Sequence, residues 1–272
     1  MIQIEITTHC NYECFYCAGR DMPQRHMSWT AFLGILDRVA APRRTVNLQG
    51  EGEPTTHPRF FDMAAEVARR GLIPYAITNG SCGRHALIAR RFPRIGISLD
   101  TLDPAEAERI GRHKLARTLA NLDALLARMG AARLIIHTVD YGQPLAALRQ
   151  YVRARGIETH IVQPLQQKDD YAYRYRDRLP IRLYRPEHRC RYIDTPMMRY
   201  FSIDGLEMPC CFIKDTSKFV STEHIRQSLA ARAVPQSCAG CREILRPVPA
   251  AVRATSAATP IDSRDGLSEA GA

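Results

Sequence analysis

Three cysteines near the start of the chain, Cys10, Cys14 and Cys17, follow the spacing C-x3-C-x2-C and place three thiols within eight residues. Thiolates are soft, anionic donors that suit iron-sulfur clusters, and three of them can each hold one corner of a cubane. The fourth iron then has no protein ligand and stays open to a small-molecule chelate, which is where chemistry can occur. The same triplet joined by His9 or His26 would instead make a zinc knuckle, although zinc sites usually pair cysteines as two separated C-x2-4-C units. A second group, Cys190, Cys210, Cys211, Cys238 and Cys241, lies far along the chain, and Cys82 stands alone as an ordinary free thiol. Met1 to Thr8 has neither a basic region nor an apolar stretch of signal-peptide type. No run approaches the ~18 apolar residues that span a bilayer. A cytoplasmic protein is expected, whose nine cysteines serve metal binding or catalysis rather than disulfides.

The elements that must position these residues alternate in type. Short β-branched or aliphatic runs at 2–7, 45–49, 73–78, 94–99, 133–138 and 158–162 are separated by helical patterns. Ser28 caps a helix to about residue 40, and 57–70, 84–91, 104–129 and 144–155 are helical by spacing. Gly71, Gly130 and Gly156 stand where helix ends favour a left-handed residue. Six βα units predict an α/β fold, a partial (β/α)6 TIM-like barrel over residues 1–165, with chemistry on the loops after strand C-termini. The cysteine triplet follows the first strand, Gly50 to Pro54 the second, Asn79-Gly80 the third, and Asp100 ends the fourth. A Tyr- and Arg-bearing connecting segment occupies 166–187. A small cysteine-rich α+β unit follows at 188–245, with a hairpin around Asp204-Gly205 and a helix from 222 to 233. The tail 246–272, rich in Pro, Ala, Ser and Thr, is expected to be disordered.

Cys10, Cys14, Tyr16 and Cys17 match C-x3-C-x-Φ-C with an aromatic Φ, and in this the sequence resembles the radical S-adenosylmethionine superfamily. The resemblance implies a 4Fe-4S cluster on the three cysteines, with the methionine moiety of S-adenosylmethionine chelating the open iron. An electron from the cluster then breaks a sulfur-carbon bond, and the resulting 5'-deoxyadenosyl radical abstracts hydrogen from a substrate. Gln49 to Pro54 resembles the family's GGEP motif, which binds the methionine amino group; Gly52, Glu53 and Pro54 match, while Glu51 replaces the usual first glycine. A carboxylate and backbone acceptors suit an ammonium group. By the same resemblance Ser98 and Asp100 face the ribose, Asn79 faces cofactor or substrate, and Tyr16 stacks near adenine. Asp100 could equally lie at the N-cap of the next helix. His137, on the fifth strand, is a substrate-side acid or base or a hydrogen-bonded core histidine.

The second group, read as Cys190, then Gly205-x4-Cys210-Cys211, then Cys238-x2-Cys241, resembles the SPASM/twitch extension of the same superfamily. Five cysteines complete one auxiliary cluster, not two, which implies the shortened twitch form. Its ligands would be Cys190, Cys210, Cys238 and Cys241, with Cys211 spare or the alternative to Cys210, and a second 4Fe-4S cluster would act as electron conduit or staple. Structural zinc on the same four is the rival. The implied partners are a reductant such as flavodoxin or ferredoxin and a small-molecule or peptide substrate, oxidised or cross-linked. Cys10 lies almost at the start, so the leader-binding domain that many peptide maturases carry there is not expected. The net charge of +10 and the run Tyr171, Tyr173, Arg174, Tyr175, Arg176 and Arg178 raise RNA modification as an alternative, through stacked rings and neutralised phosphates. Arginine is spread along the chain rather than blocked, which favours an ordinary solvated linker and makes nucleic acid an unlikely partner. A non-catalytic iron-sulfur or zinc protein is the third reading.

Overall fold

The computed structural model describes residues 1–39, 43–179 and 184–247. Three short parallel strands, β1 (Ile2–Ile4), β2 (Thr45–Asn47) and β3 (Ile73–Tyr75), pair in sequence order. After Ala76 the chain continues as β4 (Ile77–Thr78), which opens a second parallel sheet with β5 (Ile95–Ser98), β6 (Leu134–Asp140) and β7 (Thr159–Pro164). The predicted third strand therefore belongs to both sheets, and the two together form the curved wall of a partial barrel. Helices α1 (Trp29–Arg38), α2 (Phe60–Arg69), α3 (His85–Arg91), α4 (Pro104–Arg109), α5 (Leu115–Met129) and α6 (Ala146–Ala154) cover its outer face. Side chains alternate across a strand: Ile2, Ile4 and Ile6 join Phe32, Ile35 and Leu36 of α1 in the main core, while Gln3, Glu5 and Thr7 are buried on the opposite, inner face.

Several boundaries have visible causes. Ser28 caps α1, its Oγ accepting from the Ala31 N–H at 3.1 Å. Gly71, Gly130 and Gly156 adopt the expected positive φ. The stretch 104–129 is two helices, not one, because Gly111 (φ +82°) and Lys114 (φ +60°) break it. A β-carbon on Gly111 would lie 2.2 Å from the Glu13 carbonyl oxygen, so a distant loop dictates the break.

The segment 166–187 carries more structure than its lack of periodicity implies. It holds α7 (Asp169–Ala172), a 3-10 turn at Arg176–Arg178 and β8 (Tyr184–Pro186). The cysteine-rich unit contains α8 (Arg191–Asp194), the antiparallel pair β9 (Arg199–Phe201) and β10 (Glu207–Met208), α9 (Thr222–Ala230) and β11 (Leu245–Pro247). β9 pairs in parallel with β1, so the hairpin extends the barrel sheet in the order β10-β9-β1-β2-β3. β11 pairs with β8 through Pro247, so the first two residues assigned to the tail are in a strand; 248–272 lie outside the described residues. Among the described residues no helix is long and apolar enough to cross a membrane.

Candidate functional site

The cysteine loop leaves β1 and docks on the α4–α5 junction, where Glu13 N–H donates to Gly111 O at 2.8 Å and Phe15 N–H to Ile110 O at 3.2 Å. Cys17 N–H closes a turn onto Cys14 O at 3.0 Å. Cys10 is exposed, Cys14 buried and Cys17 half-buried. Burial pushes the Cys10 thiol up to about 11 and Cys17 well above its usual value, with the nearby Glu51 carboxylate adding to the rise. Such thiols become good ligands only when positive charge arrives. Among the described residues no three His, Cys, Asp or Glu side chains close on a single ion. His9 instead packs on His26 with ring centroids 4.4 Å apart, and His26 on His57 at 4.9 Å. A cubane brings its own iron and sulfide, so it needs thiolates arrayed around a volume. Three thiols on one loop, one open to solvent and two turned inward, fit that donor set.

The loop after β2 is wedged against this loop. Gly52 N–H donates to Thr7 O (3.2 Å) and Glu53 N–H to His9 O (2.8 Å), and a β-carbon on Gly52 would stand 2.5 Å from the His9 carbonyl oxygen. Glu53 is 2% exposed, and its carboxylate is filled by protein donors. Oε1 accepts from Thr78 Oγ1 (2.6 Å), Thr55 N–H (3.1 Å) and Thr55 Oγ1 (2.5 Å), and Oε2 from Asn79 N–H (2.6 Å). Burial raises its pKa while these bonds oppose the rise. Glu53 thus braces the β2 loop to the end of β4, and backbone carbonyls are what this loop has to offer an ammonium group. Glu51 turns the other way: its Oε2 accepts from Gly19 N–H (3.2 Å) and lies 3.7 Å from Cys17 Sγ, while Oε1 pairs with Lys214.

Tyr16, Asn79, Ser98 and Asp100 converge at the end of β4 and β5. Asn79, Ser98 and Asp100 share a cleft of about 10 Å³ with Tyr12 and Arg112. Tyr16 OH donates to Asp100 Oδ2, Arg112 pairs with the same oxygen and donates to Tyr16 OH at 2.9 Å, and Val139 N–H donates to Asp100 Oδ1 at 2.7 Å. Both Asp100 oxygens are therefore engaged by the protein. Its role here is to orient Tyr16 and Arg112, and the helix N-cap belongs to Asp103, which accepts from Ala105 N–H. Asn79 is tied to Asn11 Oδ1 at 2.8 Å. His137 accepts or donates at 2.9 Å with Tyr75 OH, and burial, helped by His160, lowers it to about 4; the hydrogen-bonded reading describes it. Arg112 had no sequence signal, because only the Gly111 break brings it back over β5.

The four cysteines Cys190, Cys210, Cys238 and Cys241 come together from separate elements. Cys190 precedes α8, Cys210 follows β10, and Cys238 ends a 3-10 turn. Each is 6–8% exposed, and they share one apolar cluster with Ile193, Met208, Ile213, Ile225 and Leu229. Burial raises the Cys210 thiol, and the neighbouring Cys211, Cys241 and Cys238 raise it further. Cys211 is half-buried at the edge of the same cluster, and after burial the groups that bear on it most are Lys214 and Glu51. Gly240 packs its Cα face onto the 167–169 backbone, and the fully buried Lys168, paired with Asp170 at 2.7 Å, lies beside this loop. Tyr171 and Tyr175 are 6% and 0% exposed and pack with Phe15 and Ala18 over the cysteine loop. Those buried rings have no face left for a base. Cys82 is half-buried against the main core.

The chain matches the sequence profile of the Radical SAM superfamily over residues 4–154, more than half of its length. It is 28% identical over 229 residues to the tungsten-containing aldehyde ferredoxin oxidoreductase cofactor-modifying protein of Pyrococcus furiosus, covering 74% of this chain and 63% of that protein. With GTP 3',8-cyclase 1 of Pseudomonas aeruginosa identity is 30% over 179 residues, 60% of this chain and 54% of the relative. The chain thus spans somewhat over half the length of these curated relatives. Among solved structures, SuiB of Streptococcus suis bound to S-adenosylmethionine superposes with a TM-score of 0.62 at 13% identity, over 85% of this chain and 64% of SuiB. BtrN in complex with AdoMet and 2-DOIA gives 0.52 at 13% identity, over 90% and 93%. At that identity these likenesses speak for the fold, a partial barrel of parallel strands, and together with the profile match they establish that the chain belongs to the radical SAM superfamily.

Proposed function

We propose that this radical SAM enzyme cleaves S-adenosylmethionine reductively at a 4Fe-4S cluster on Cys10, Cys14 and Cys17. The radical so formed removes hydrogen from a small-molecule or peptide substrate. A second 4Fe-4S cluster on Cys190, Cys210, Cys238 and Cys241, in a twitch-like unit, takes an electron from the substrate. The observation that carries the reading is the pairing of a three-thiol loop, one of its thiols exposed, with four sealed thiols in one apolar cluster. A cavity of about 410 Å³, bordered by Ala18 and Tyr171 on one side and Ile213 and Lys214 on the other, lies at the seam.

When bound, the cluster and S-adenosylmethionine supply the radical chemistry. The chain positions and excludes. Glu53 fixes the β2 loop whose carbonyls receive the ammonium group of the cofactor. Asp100 and Arg112 hold Tyr16 at the adenine side, and Ser98 and Asn79 complete that cleft. Tyr171 and Tyr175 pack on Ala18 and Phe15 and support the Cys17 end of the cysteine loop. Cys210 is the ligand and Cys211 the bystander, as the neighbours of each thiol support. A flavodoxin- or ferredoxin-like reductant delivers the first electron.

Anaerobically reconstituted protein with dithionite and S-adenosylmethionine is expected to release 5'-deoxyadenosine and to hold about eight iron and eight sulfide per chain. Zinc in place of iron at the second set, with about four iron in total, would limit the auxiliary site to a structural role. No 5'-deoxyadenosine from fully loaded protein would end the catalytic reading.

A further inference from the structure

Where the family's motif has a glycine, this chain has Glu51, and that carboxylate meets three segments at once. It accepts from Gly19 N–H, touches Cys17 Sγ through both its Oε2 (3.7 Å) and its backbone carbonyl (3.5 Å), and pairs with Lys214 of the cysteine-rich unit. Lys214 is nearly buried, its side chain 9% exposed, and its ammonium lies 5.6 Å from the Tyr200 ring centroid. Glu5, 1% exposed just after β1, accepts from Glu51 N–H at 2.9 Å and from Ile203 N–H at 3.3 Å. The two glycines that flank this knot are forced: a β-carbon on Gly50 would stand 2.2 Å from the Glu5 side chain, and one on Gly19 2.8 Å from Glu51. The buried Glu5 carboxylate, bonded to the Glu51 backbone, and the half-buried Glu51 carboxylate, paired with Lys214, form a network in which each charge depends on the others, since an uncompensated buried charge is expensive. A nearby ionic link, Arg25 of the 18–27 loop to Asp204 of the hairpin, is 48% exposed on both sides and is correspondingly weak.

We propose that Lys214 is a positioning residue that, through Glu51, clamps the Cys17 end of the cysteine loop to the cysteine-rich unit. The folding of the second unit then decides whether the first three thiols are presented together. This rests on the reading of Cys10, Cys14 and Cys17 as one ligand set, and it gives Glu51 a reason to stand where the family has glycine. The clamp is local to one end of the loop. Cys10, whose Sγ accepts from Tyr12 N–H at 3.4 Å, lies outside it.

The test uses the metal-free full chain, with alkylation of each cysteine by iodoacetamide timed by peptide mass spectrometry. Lys214→Met and Glu51→Gln should each accelerate Cys17 alkylation by about tenfold, because reactivity through local opening follows the opening equilibrium. Cys10 should keep its rate. The double variant should be no faster than Lys214→Met, and Lys214→Arg should return Cys17 to within about twofold of the parent. If Lys214→Met fails to fold by circular dichroism, Glu51→Gln reads the same contact. Unchanged Cys17 rates in folded variants, equal acceleration of Cys10 and Cys17, or additive effects in the double variant would each overturn the clamp. Iron analysis of the reconstituted parent addresses the ligand-set reading separately, so that reading can fail while the alkylation pattern stands.

Discussion

The two cysteine sets are built on opposite plans. Cys10, Cys14 and Cys17 come from one loop, range from exposed to buried, and are held in place by glycine-mediated backbone contacts at Gly52 and Gly111. Cys190, Cys210 and the Cys238–Cys241 turn come from three places in the fold, and their thiols are sealed to 6–8% exposure among Ile, Leu and Met side chains. Metal chemistry draws the same distinction between catalytic sites, which keep a coordination position open, and structural sites, which close it. One fold thus carries an accessible set of thiols and a sealed one. The second set is also the anchor of its unit: its elements are short, and the apolar cluster around the thiols is the unit's core.

The largest test of this contrast is removal of each set. Cys10→Ala, Cys14→Ala and Cys17→Ala together should reduce 5'-deoxyadenosine release to background while about half of the iron stays bound. Replacing Cys238 and Cys241 with serine should instead loosen the cysteine-rich unit, seen as faster protease cleavage between 188 and 245, because two thiols that pack its apolar core become hydroxyls. Undiminished 5'-deoxyadenosine release in the triple variant, or a 188–245 region as protease-resistant in the double variant as in the parent, would erase the distinction.

A sharper experiment compares neighbours in sequence. Cys210→Ser should lose the metal of the second set, and Cys211→Ser should retain it, because Cys210 is sealed in the cluster with Cys238 and Cys241 whereas Cys211 is only half-buried at its edge, under the charges of Lys214 and Glu51. Metal content per chain decides it, and a reversed outcome would assign the ligand to Cys211.

Much of the first set was legible because its information is local. The C-x3-C-x-Φ-C spacing, the run of β1 before it, the Ser28 cap and the Asp204-Gly205 turn each need only adjacent residues. What was not legible depends on distant parts. The split of 104–129 exists because Glu13 requires a glycine at 111, and only that split returns Arg112 to Asp100 and Tyr16. The pairing of β9 with β1 joins residues nearly two hundred apart, and neither strand carries a mark of its partner. Tyr171 and Tyr175 lacked periodicity because they belong to a turn that packs as a roof, so solvent exposure could not be read from their spacing.

The support around the first set should also respond differently from ordinary surface charge. Glu53→Gln presents an amide N–H₂ to donors that have no acceptor left, Thr78, Thr55 and Asn79. It should cost about 1–3 kcal/mol in urea denaturation. Glu223→Gln, at an exposed pair with Arg226, should cost at most ~0.5 kcal/mol. A result with the two costs alike would mean that the β2 loop is not braced as described.

The smallest expected effect concerns the barrel interior, which belongs to neither set. His137, bonded to Tyr75, is held at about 4 by burial, below the ~6.5 of an unfolded histidine. As pH falls through about 6.5 the unfolded chain gains this proton and the folded chain does not, so stability declines until about pH 4, where the folded histidine also titrates. A shift of that size sets an upper bound of about 3 kcal/mol, and screening by solvent at this half-buried ring brings the expected decline across the window to about 1–2 kcal/mol. His137→Gln should flatten the stability-against-pH curve between 6.5 and 4 by that amount. Because His137 lies on neither cysteine set, the same variant should leave the metal content of both untouched. Loss of iron in His137→Gln at neutral pH would show that the barrel interior and the open cysteine loop are one unit, and the contrast between an independent loop and a sealed core would have to be redrawn around β6.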